Sequence, residues 1–363
     1  MRILFLGDYE DKEIVPAPIK VGKELFKSFK SSGHHIFYLP YFQDGNIYSR
    51  IQKLFGFEKI TDRVYRTGIF PLLIFVIKFK PQLIHIFTPG LYYVVLFPLR
   101  IFSRYKIVST LHSINRYVIP HLSNIKGYQK LRFLLIDYLL VKYSDYLFVY
   151  SKRDKRYISM YYKVKPDKII VANNGFNEVN IRKEDFSNNF PLKVAFVGNI
   201  NRKEKAFDLL IHVLSLLNLP VKLSVFSHDK QVEMGNYKPI NVDLQFHNPL
   251  SELEFRKELV NNDIFIIPSK YESFSISLLE AMSTGILFLA SNRVGLTERF
   301  HEEMTGLIFR NNNTEQLLER INYFLNLKNE QKIQLSLNII NFTKNYSWEK
   351  ISADYLEAYS RVF

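Results

Sequence analysis

The chain of 363 residues contains no cysteine. Without thiols it forms no disulfide bonds and no thiolate metal site, which is compatible with a reducing compartment. It also lacks a long apolar run, because the best candidate, residues 69–77, is about half of the ~18 residues that a membrane-spanning helix needs. The segment Arg2–Leu6 has only a few apolar residues before the chain becomes acidic, which predicts a first strand rather than a signal peptide. We therefore expect a protein that does not cross a membrane.

Two chemical motifs are also missing. No G-x-G-x-x-G follows the first predicted strand, which argues against a Rossmann dehydrogenase. No D-x-D carboxylate pair is present to position a divalent cation. The sequence therefore predicts no cofactor, no metal site and a metal-independent activity.

The composition is that of an ordinary globular protein, with 47% hydrophobic and 23% charged residues. The length suggests two domains with sizeable cores. The net charge is +14, and its distribution is uneven. Residues 1–190 contain 30 Lys and Arg against 15 Asp and Glu, whereas residues 191–363 contain 19 against 20. An anionic partner of the first half is therefore expected: a membrane surface, an anionic lipid carrier or nucleic acid.

Basic residues alternate with aromatic and aliphatic ones in two segments of this first half, residues 59–80 and 116–142. Lys and Arg side chains that flank an amphipathic helix suit an interfacial surface, although ordinary packing would give the same pattern. We favour an anionic membrane surface as the partner, and we expect no nucleic acid.

The most informative stretch is a predicted strand, a polar loop and the start of a helix. Residues 263–268 contain a short apolar run, Ile264–Ile267, that stops at a proline, which predicts a buried strand. The loop 269–275 follows, and residues 276–282 fit a helix that ends near Gly285. In an open α/β sheet such a loop binds anionic ligands, because free N–H groups and the helix dipole point toward it.

Two carboxylates lie in this stretch. Glu272 is in the loop, and Glu280 interrupts the apolar helix eight positions later. A buried carboxylate costs several kcal/mol unless it has a partner, and ribose hydroxyl groups would be suitable partners.

This stretch resembles the E-x7-E signature of the retaining GT-B glycosyltransferases of glycosyltransferase family 4. The family pattern is similar to P-S-x-x-E-G-F-G/S-x-x-x-L-E-A-M-A-x-G-x-P. The chain carries it at Pro268-Ser269, Glu272, Phe274-Ser275, Leu279-Glu280-Ala281-Met282 and Gly285. It departs from the pattern at Ser273, where the family usually has glycine, and at Leu287, where it often has proline.

Other segments resemble the same family more weakly. Residues 199–206 resemble its G-R-L-x-x-E-K-G loop, with Ala206 in place of the glycine. The tail 345–359 resembles the segment by which the last helix of the family returns to the first domain. The family's glycine pair after the first strand is absent, since residues 15–18 read Val-Pro-Ala-Pro, which weakens the prediction of a phosphate contact there.

The resemblance implies an α/β fold of the GT-B type, with two doubly wound Rossmann-like domains facing a cleft. The expected first domain is residues 1–188, on the acceptor side, joined by the returning helix 347–363. The expected second domain is residues 189–346, which binds the nucleotide sugar. The polar, proline-ended segment 184–191 is the predicted linker.

The resemblance also implies roles for site residues. Glu272 and His112 are the predicted catalytic residues, with Glu272 near the reacting carbon of the sugar, either as a nucleophile or in a front-face transfer. His112, at the end of a predicted strand, would reach the donor sugar from the first domain. Glu280 would accept hydrogen bonds from the ribose hydroxyl groups. The predicted contacts with the sugar and the diphosphate are Ser273, Phe274, Ser275, Arg202 and Lys205.

The predicted function is retaining transfer of a hexosyl or N-acetylhexosaminyl group from a nucleotide-sugar donor to a glycan or lipid-linked acceptor. Cell-surface polysaccharide synthesis, at the cytoplasmic face of the membrane, is the expected setting. Two alternatives remain open: a non-catalytic nucleotide-sugar-binding homologue and a GT-B sugar-nucleotide epimerase. The base, the sugar, the acceptor and the oligomeric state are not specified by the sequence.

Overall fold

The computed structural model describes residues 1–42, 47–88, 90, 92–100, 104–121, 126–187, 190–227, 239–248 and 250–363. The described chain forms two compact α/β units. The first contains Met1–Asn115, Gly127–Asn174 and Trp348–Phe363. The second contains Arg116–Lys126 and Gly175–Ser347.

The first unit alternates strands and helices. Its elements in chain order are β1 (Arg2–Leu6), α1 (Ala17–Ser31), β2 (His35–Leu39), α2 (Ile47–Phe55), β3 (Phe57–Thr61), β4 (Val64–Thr67), α3 (Ile69–Phe79), β5 (Leu83–Ile86), α4 (Tyr92–Leu99), β6 (Lys106–Thr110), α6 (Gly127–Tyr143), β7 (Tyr146–Val149), α7 (Lys152–Tyr161) and β8 (Ile169–Val171). Between β6 and α6 lies the short helix α5 (Asn115–Val118), which belongs to the second unit from Arg116 onward.

Among the described residues these strands form an eight-stranded sheet in the order β3-β4-β2-β1-β5-β6-β7-β8. Each strand in this order is parallel to its neighbour, except that β3 and β4 are antiparallel. The apolar run of β5 is buried along its whole length, as expected for a strand with helices on both faces of its sheet. The carboxyl ends of the parallel strands therefore lie at one edge of the sheet.

Strands β3 and β4 form an antiparallel hairpin that the sequence did not predict. Their residues are only partly buried, and this edge of the sheet lacks the continuous apolar run that identifies the inner strands. The hairpin is instead joined across its face by the rings of Phe57 and Tyr65, stacked with centroids 5.2 Å apart. A cross-strand pair of this kind depends on pairing register, which no local pattern specifies.

The second unit has the same alternating plan. Its elements are β9 (Leu192–Val197), α8 (Phe207–Ser215), β10 (Val221–Phe226), β11 (Val242–His247), α9 (Glu252–Leu259), β12 (Ile264–Ile267), α10 (Ile276–Ser283), β13 (Leu287–Ser291), β14 (Ile308–Phe309), α11 (Thr314–Asn326) and α12 (Asn329–Thr343).

The described strands of this unit form a parallel six-stranded sheet in the order β11-β10-β9-β12-β13-β14. Strand β12, fully buried, pairs with β13 on one side and with β9 on the other. The loops that follow β9 and β12 consequently leave the same edge of the sheet side by side.

The chain returns to the first unit at its end. Helix α13 (Trp348–Ser360) belongs to that unit and packs on α1, where the hydroxyl oxygens of Ser28 and Ser352 are 2.6 Å apart. This return was predicted for the tail of the sequence.

The division between the units lies at Gly175, ahead of the linker predicted at residues 184–191. Residues 175–187 pack on the second unit, because the Lys183 N–H donates to the Thr284 carbonyl at 2.8 Å and the Phe186 ring is buried. The composition of the segment is that of a linker, but its contacts are those of the second unit.

In the part of the chain that the structure describes, no helix combines the length and the apolar character required to span a bilayer. The same described residues contain no group of three or more His, Asp and Glu side chains placed to hold a metal ion.

Candidate active site

The loop between β12 and α10 is rigid at its end nearest the helix. Ser275 caps α10, with its hydroxyl accepting a hydrogen bond from the Leu278 N–H at 3.3 Å. Its φ is +90°, a conformation that favours glycine and costs a serine roughly 1–3 kcal/mol. The surrounding structure therefore imposes this turn, which directs the first N–H groups of α10 toward the loop.

Glu272 is held in this loop by its backbone. Its N–H donates to the Arg293 carbonyl at 3.1 Å, and its carbonyl accepts from the Gly295 N–H at 3.0 Å. Its carboxylate accepts from the Ser269 hydroxyl at 3.4 Å and forms an ion pair with the Lys205 ammonium. Both side chains of this ion pair are 21% exposed, so the pair is accessible to a ligand.

Lys205 comes from the loop after β9, which neighbours β12 in the sheet. The two loops are joined a second time by the Lys270 N–H, which donates to the Glu204 carbonyl at 2.7 Å. Gly198 lets the Lys205 side chain pass, since a Cβ there would lie 3.3 Å from Cδ of Lys205. The adjacency of β9 and β12 thus brings together a predicted diphosphate-binding cation and a predicted catalytic carboxylate.

Arg202, in the same loop, contacts the buried carboxylate of Glu204 in an ion pair. Its side chain remains 43% exposed. In this structure the guanidinium neutralises a carboxylate of its own loop, so Lys205 is the cation of this loop that contacts Glu272.

Glu280 is buried in α10, as the apolar surroundings in the sequence predicted. Arg256 of α9 is fully buried, and its Nη1 donates to the Asn177 carbonyl at 2.7 Å while its Nη2 pairs with Glu252. Burial lowers the pKa of Arg256, and the charges of Glu252 and Glu280 oppose that effect. Glu280 therefore interacts electrostatically with a buried guanidinium that the sequence did not identify as part of the site.

The three residues that follow Glu272, Ser273 to Ser275, complete the same loop. Ser273 and Phe274 are buried, and the Ser273 hydroxyl lies 2.8 Å from that of Tyr271. The Arg299 guanidinium lies over the Phe274 ring, 5.4 Å from its centroid. Within the described residues the N–H groups of Ser273 and Ser275 form no hydrogen bond, so they are available to a ligand.

Tyr271 is itself stacked against Tyr117, with the ring centroids 5.2 Å apart. Tyr117 belongs to the short segment Arg116–Lys126, which is part of the second unit. No local sequence pattern predicts this pair of rings, because the two tyrosines are far apart along the chain.

His112 lies in the first unit, just past the carboxyl end of β6. Burial lowers its pKa to about 3, and a hydrogen bond with the Phe87 backbone opposes this. Its ring is tilted against Tyr150 with centroids 5.5 Å apart, and its buried Nε2 has no hydrogen-bond partner among the described residues. At neutral pH His112 is therefore an uncharged imidazole, and its buried Nε2 forms no hydrogen bond within the described residues.

The predicted site residues of the second unit are thus gathered in two neighbouring loops and one helix, while His112 is held by the first unit. Arg256 and Tyr117 are the additions that the sequence analysis missed. The spacing of Glu252 and Arg256, one helical turn apart, is a local signal for their pairing. Nothing local indicates that the guanidinium is buried.

Comparisons with known proteins give two family matches that together cover most of the chain. Residues 178–342 match the model of the family described as glycosyl transferases group 1. Residues 23–179 match the model of the family described as Glycosyltransferase Family 4.

Individual relatives match parts of the chain. A glycogen synthase from Caldicellulosiruptor saccharolyticus is 28% identical over 221 residues, or 54% of this chain and 46% of that protein. The N,N'-diacetylbacillosaminyl-diphospho-undecaprenol alpha-1,3-N-acetylgalactosaminyltransferase of Campylobacter jejuni is 33% identical over 106 residues, or 29% of this chain and 27% of that protein. This chain thus spans less than half the length of these relatives.

Among solved structures, Anabaena Alr3699/HepE in complex with UDP and glucose matches with a TM-score of 0.71. The match covers 99% of this chain and 100% of that chain at 17% sequence identity. At this identity the likeness concerns the fold, and it confirms the GT-B fold predicted from the sequence.

Proposed function

Since this chain belongs to the glycosyltransferases, by its matches to group 1 and to Family 4, we propose that it transfers a sugar from a nucleotide-sugar donor to an acceptor hydroxyl with retained anomeric configuration. The observation that carries the proposal is the contact of Lys205 with Glu272, beside the N-terminus of α10. A cation and a carboxylate at this place suit a ligand that combines a diphosphate with a sugar. We infer from the family resemblance that the donor sugar is a hexosyl or N-acetylhexosaminyl group.

Donor binding would rearrange the Lys205–Glu272 ion pair. The diphosphate would form an ion pair with the ammonium of Lys205. The N–H groups of Ser273 and Ser275 and the dipole of α10 would also stabilise its negative charge. Glu272 would then be released toward the sugar, where its negative charge stabilises the positive charge that develops at the reacting carbon. We assign His112 to contact with the donor sugar, as a neutral hydrogen-bonding group.

Glu280 would bind the ribose hydroxyl groups of the donor. Its burial supports this role, because a buried carboxylate is stable only with partners, and the positive charge of Arg256 attracts it. We propose that the diphosphate is neutralised by Lys205 and the helix N-terminus, without a metal ion and without a cofactor.

The proposed acceptor is a glycan or a lipid-linked glycan at an anionic membrane surface. The relative from Campylobacter jejuni is named for a diphospho-undecaprenol substrate, which supports an acceptor of this class. We propose a role in cell-surface polysaccharide synthesis, with the protein bound peripherally to the cytoplasmic face of the membrane.

Exposed apolar side chains of the first unit support this membrane contact. Along α6, one face carries residues that are between 47% and 69% exposed: Tyr128, Leu131, Leu135 and Tyr138. These residues recur at intervals of three and four, so they form a single stripe, which we call the α6 stripe. The excess of Lys and Arg in the first half of the chain supplies the charge that an anionic bilayer attracts.

A second exposed apolar surface lies on α2 and α3, where Phe55 and Phe70 stack with centroids 4.9 Å apart. Ile51 of α2 and Ile74 and Ile77 of α3 are each more than half exposed. Exposed apolar surfaces of this kind mark sites of interaction.

Thermal unfolding in the presence of a panel of nucleotide sugars tests the donor assignment. The cognate donor should raise the unfolding temperature of the wild type, by mass action, and raise it less for Glu272→Gln. Transfer to added acceptor supports the proposal. Conversion of the donor to an epimer would identify an epimerase, and binding without turnover, with every acceptor class tried, would identify the non-catalytic alternative.

Co-sedimentation with vesicles tests the membrane assignment separately. The wild type should bind vesicles rich in anionic lipid, bind neutral vesicles less, and dissociate as salt is raised. Leu131→Glu with Leu135→Glu should release it, whereas the control Leu337→Glu, at an exposed leucine of α12, should not. Equal and negligible binding of the wild type to both kinds of vesicle contradicts the membrane proposal.

A further inference from the structure

A cavity of about 410 Å³ lies in the first unit, away from the predicted site residue of that unit. Its walls include Asp145 and Leu147, at the amino end of β7, and Lys168, which directly precedes β8. These two strands are parallel, so the cavity opens at the amino edge of the sheet. His112 follows the carboxyl end of β6, at the opposite edge. We call this cavity the amino-edge pocket.

The amino-edge pocket is strongly basic. Four lysines line it: Lys142 at the end of α6, and Lys163, Lys165 and Lys168 in the turn after α7. Among the described residues no carboxylate forms an ion pair with any of the four. All four side chains are exposed, and four positive charges that line one cavity attract an anion.

The carboxylate in the wall of the pocket does not supply that anion. Asp145 forms an ion pair with Arg100 through one oxygen. Its other oxygen accepts a hydrogen bond from the Ile107 N–H at 2.8 Å. Both oxygens are thus committed to partners other than the lysines.

Two hydrogen bonds hold the turn that contains Lys163, Lys165 and Lys168. The Val164 carbonyl accepts from the Ser159 hydroxyl at 2.9 Å, and the Lys168 N–H donates to the Lys165 carbonyl at 3.0 Å. Lys163 adopts φ +55°, a left-handed conformation that costs a lysine free energy. The turn therefore places its three lysines within one short stretch of chain, which lines the same cavity as Lys142.

The volume and the remaining walls indicate what kind of anion fits. A cavity of this size accommodates more than one phosphate group. Val141, Leu147 and Val164 provide an apolar wall, and Tyr138 and Tyr162 provide aromatic ones. Tyr138 is also the last residue of the α6 stripe, so the pocket is continuous with that exposed apolar face.

We propose that the amino-edge pocket is a second binding site, for a ligand that carries a diphosphate or two neighbouring phosphate groups. The ammonium groups of the four lysines would bind the phosphate oxygens, and the apolar and aromatic wall would contact the rest of the ligand. The ligand is either a phosphate-bearing lipid headgroup or a soluble diphosphate. The inference rests on the first unit alone and is independent of the proposed transfer reaction.

The test uses a triple variant of the full chain, Lys142→Gln with Lys165→Gln and Lys168→Gln. Its matched control, Lys152→Gln with Lys257→Gln and Lys328→Gln, removes the same charge at three exposed lysines outside the pocket. Both are compared in a Lys205→Met background, so that the proposed donor site does not bind the probe. Equal unfolding temperatures establish that the two variants are folded.

Two probes separate the sources of phosphate. Titration calorimetry measures binding of inorganic pyrophosphate, and flotation measures binding to vesicles that contain phosphatidic acid. The pocket variant should bind one of the probes about tenfold more weakly than the control variant or worse, since each lysine near an anion contributes about 1 kcal/mol. Loss confined to pyrophosphate identifies a soluble ligand, and loss confined to vesicles identifies a lipid. If the pocket variant binds both probes as the control variant does, the pocket is not an anion site, and the proposal is overturned.

Discussion

The ammonium of Lys205 and the carboxylate of Glu272 form an ion pair, although 67 positions separate them in the chain. Each residue was predicted to act on a different part of the donor, the diphosphate and the sugar. In the proposed function, their contact in the free protein means that donor binding would exchange one charge partner for another. Lys205 is therefore both the partner that holds Glu272 in place and the proposed ligand of the diphosphate.

The first prediction concerns this pair. Lys205→Met should lower the rate of sugar transfer by about 10²-fold or more, because it removes a charge aimed at the leaving diphosphate. Lys203→Met is the matched control, since Lys203 is exposed in the same turn. Initial rates at saturating donor measure the effect. Similar rates for the two variants would show that Lys205 has no role in transfer.

The second prediction concerns Glu280. Glu280→Gln should weaken nucleotide binding by roughly 1–3 kcal/mol, because ribose hydroxyl groups would lose a charged acceptor in a buried site. Titration calorimetry with the nucleoside diphosphate measures the loss, and Glu258→Gln, at an exposed position of α9, serves as control. Removing the carboxylate also leaves Arg256 with one fewer counter-charge, so the unfolding temperature should fall as well. A lower unfolding temperature with unchanged nucleotide affinity would make Glu280 a structural residue alone.

The third prediction concerns metal ions. Excess chelator should leave transfer activity essentially intact, because Lys205 and the N-terminus of α10 neutralise the leaving group in our proposal. The measurement is the initial rate with and without chelator, with magnesium or manganese added back. Complete loss that either ion restores would contradict metal independence.

The fourth prediction concerns pH. Burial lowers the pKa of His112 to about 3, against about 6.5 in the unfolded chain. Between about pH 3 and about pH 6.5 the imidazole of His112 therefore binds a proton in the unfolded chain but not in the folded protein. The contribution of His112 to the free energy of unfolding therefore keeps its full value above about pH 6.5. Below that pH it decreases as the pH falls toward 3.

His112→Gln removes this dependence. The unfolding free energy of the wild type minus that of the variant should decrease by on the order of 2 kcal/mol between pH 7 and pH 5. Denaturant unfolding at several pH values measures the difference, and His35→Gln, at an exposed histidine, controls for the loss of an imidazole. A difference that stays constant with pH would mean that His112 is not buried in its neutral form.

Local sequence patterns were sufficient for most of the regular structure. The apolar run before Pro268 became β12, and residues 276–282 fall within α10, which ends just before Gly285 at φ +78°. Strand periodicity and helix termination depend on residues a few positions apart, so the sequence carries them directly. The family signature around Glu272 and Glu280 is local in the same sense, and the family matches confirm the resemblance.

The predicted elements were incomplete where local signals are weak or ambiguous. The hairpin of β3 and β4 and the helices α2, α7 and α9 were not predicted. Their residues mix charged, aromatic and apolar types, so their periodicity does not stand out. The unit boundary at Gly175 was also not apparent, because a polar and proline-ended composition does not show where a segment packs.

The sequence by itself determined which residue types are available at the site: a carboxylate in the loop, a second carboxylate in the helix, and cations after β9. The tertiary structure alone decided their partners. Lys205 meets Glu272 because β9 and β12 are neighbours in the sheet, an order set by the crossover connections rather than by any nearby residue. In the same way, the buried guanidinium of Arg256 interacts with the charge of Glu280, and Lys142 lines one cavity together with the three lysines that follow α7. Charges act over distances of a few ångströms in space, and only the folded chain sets those distances.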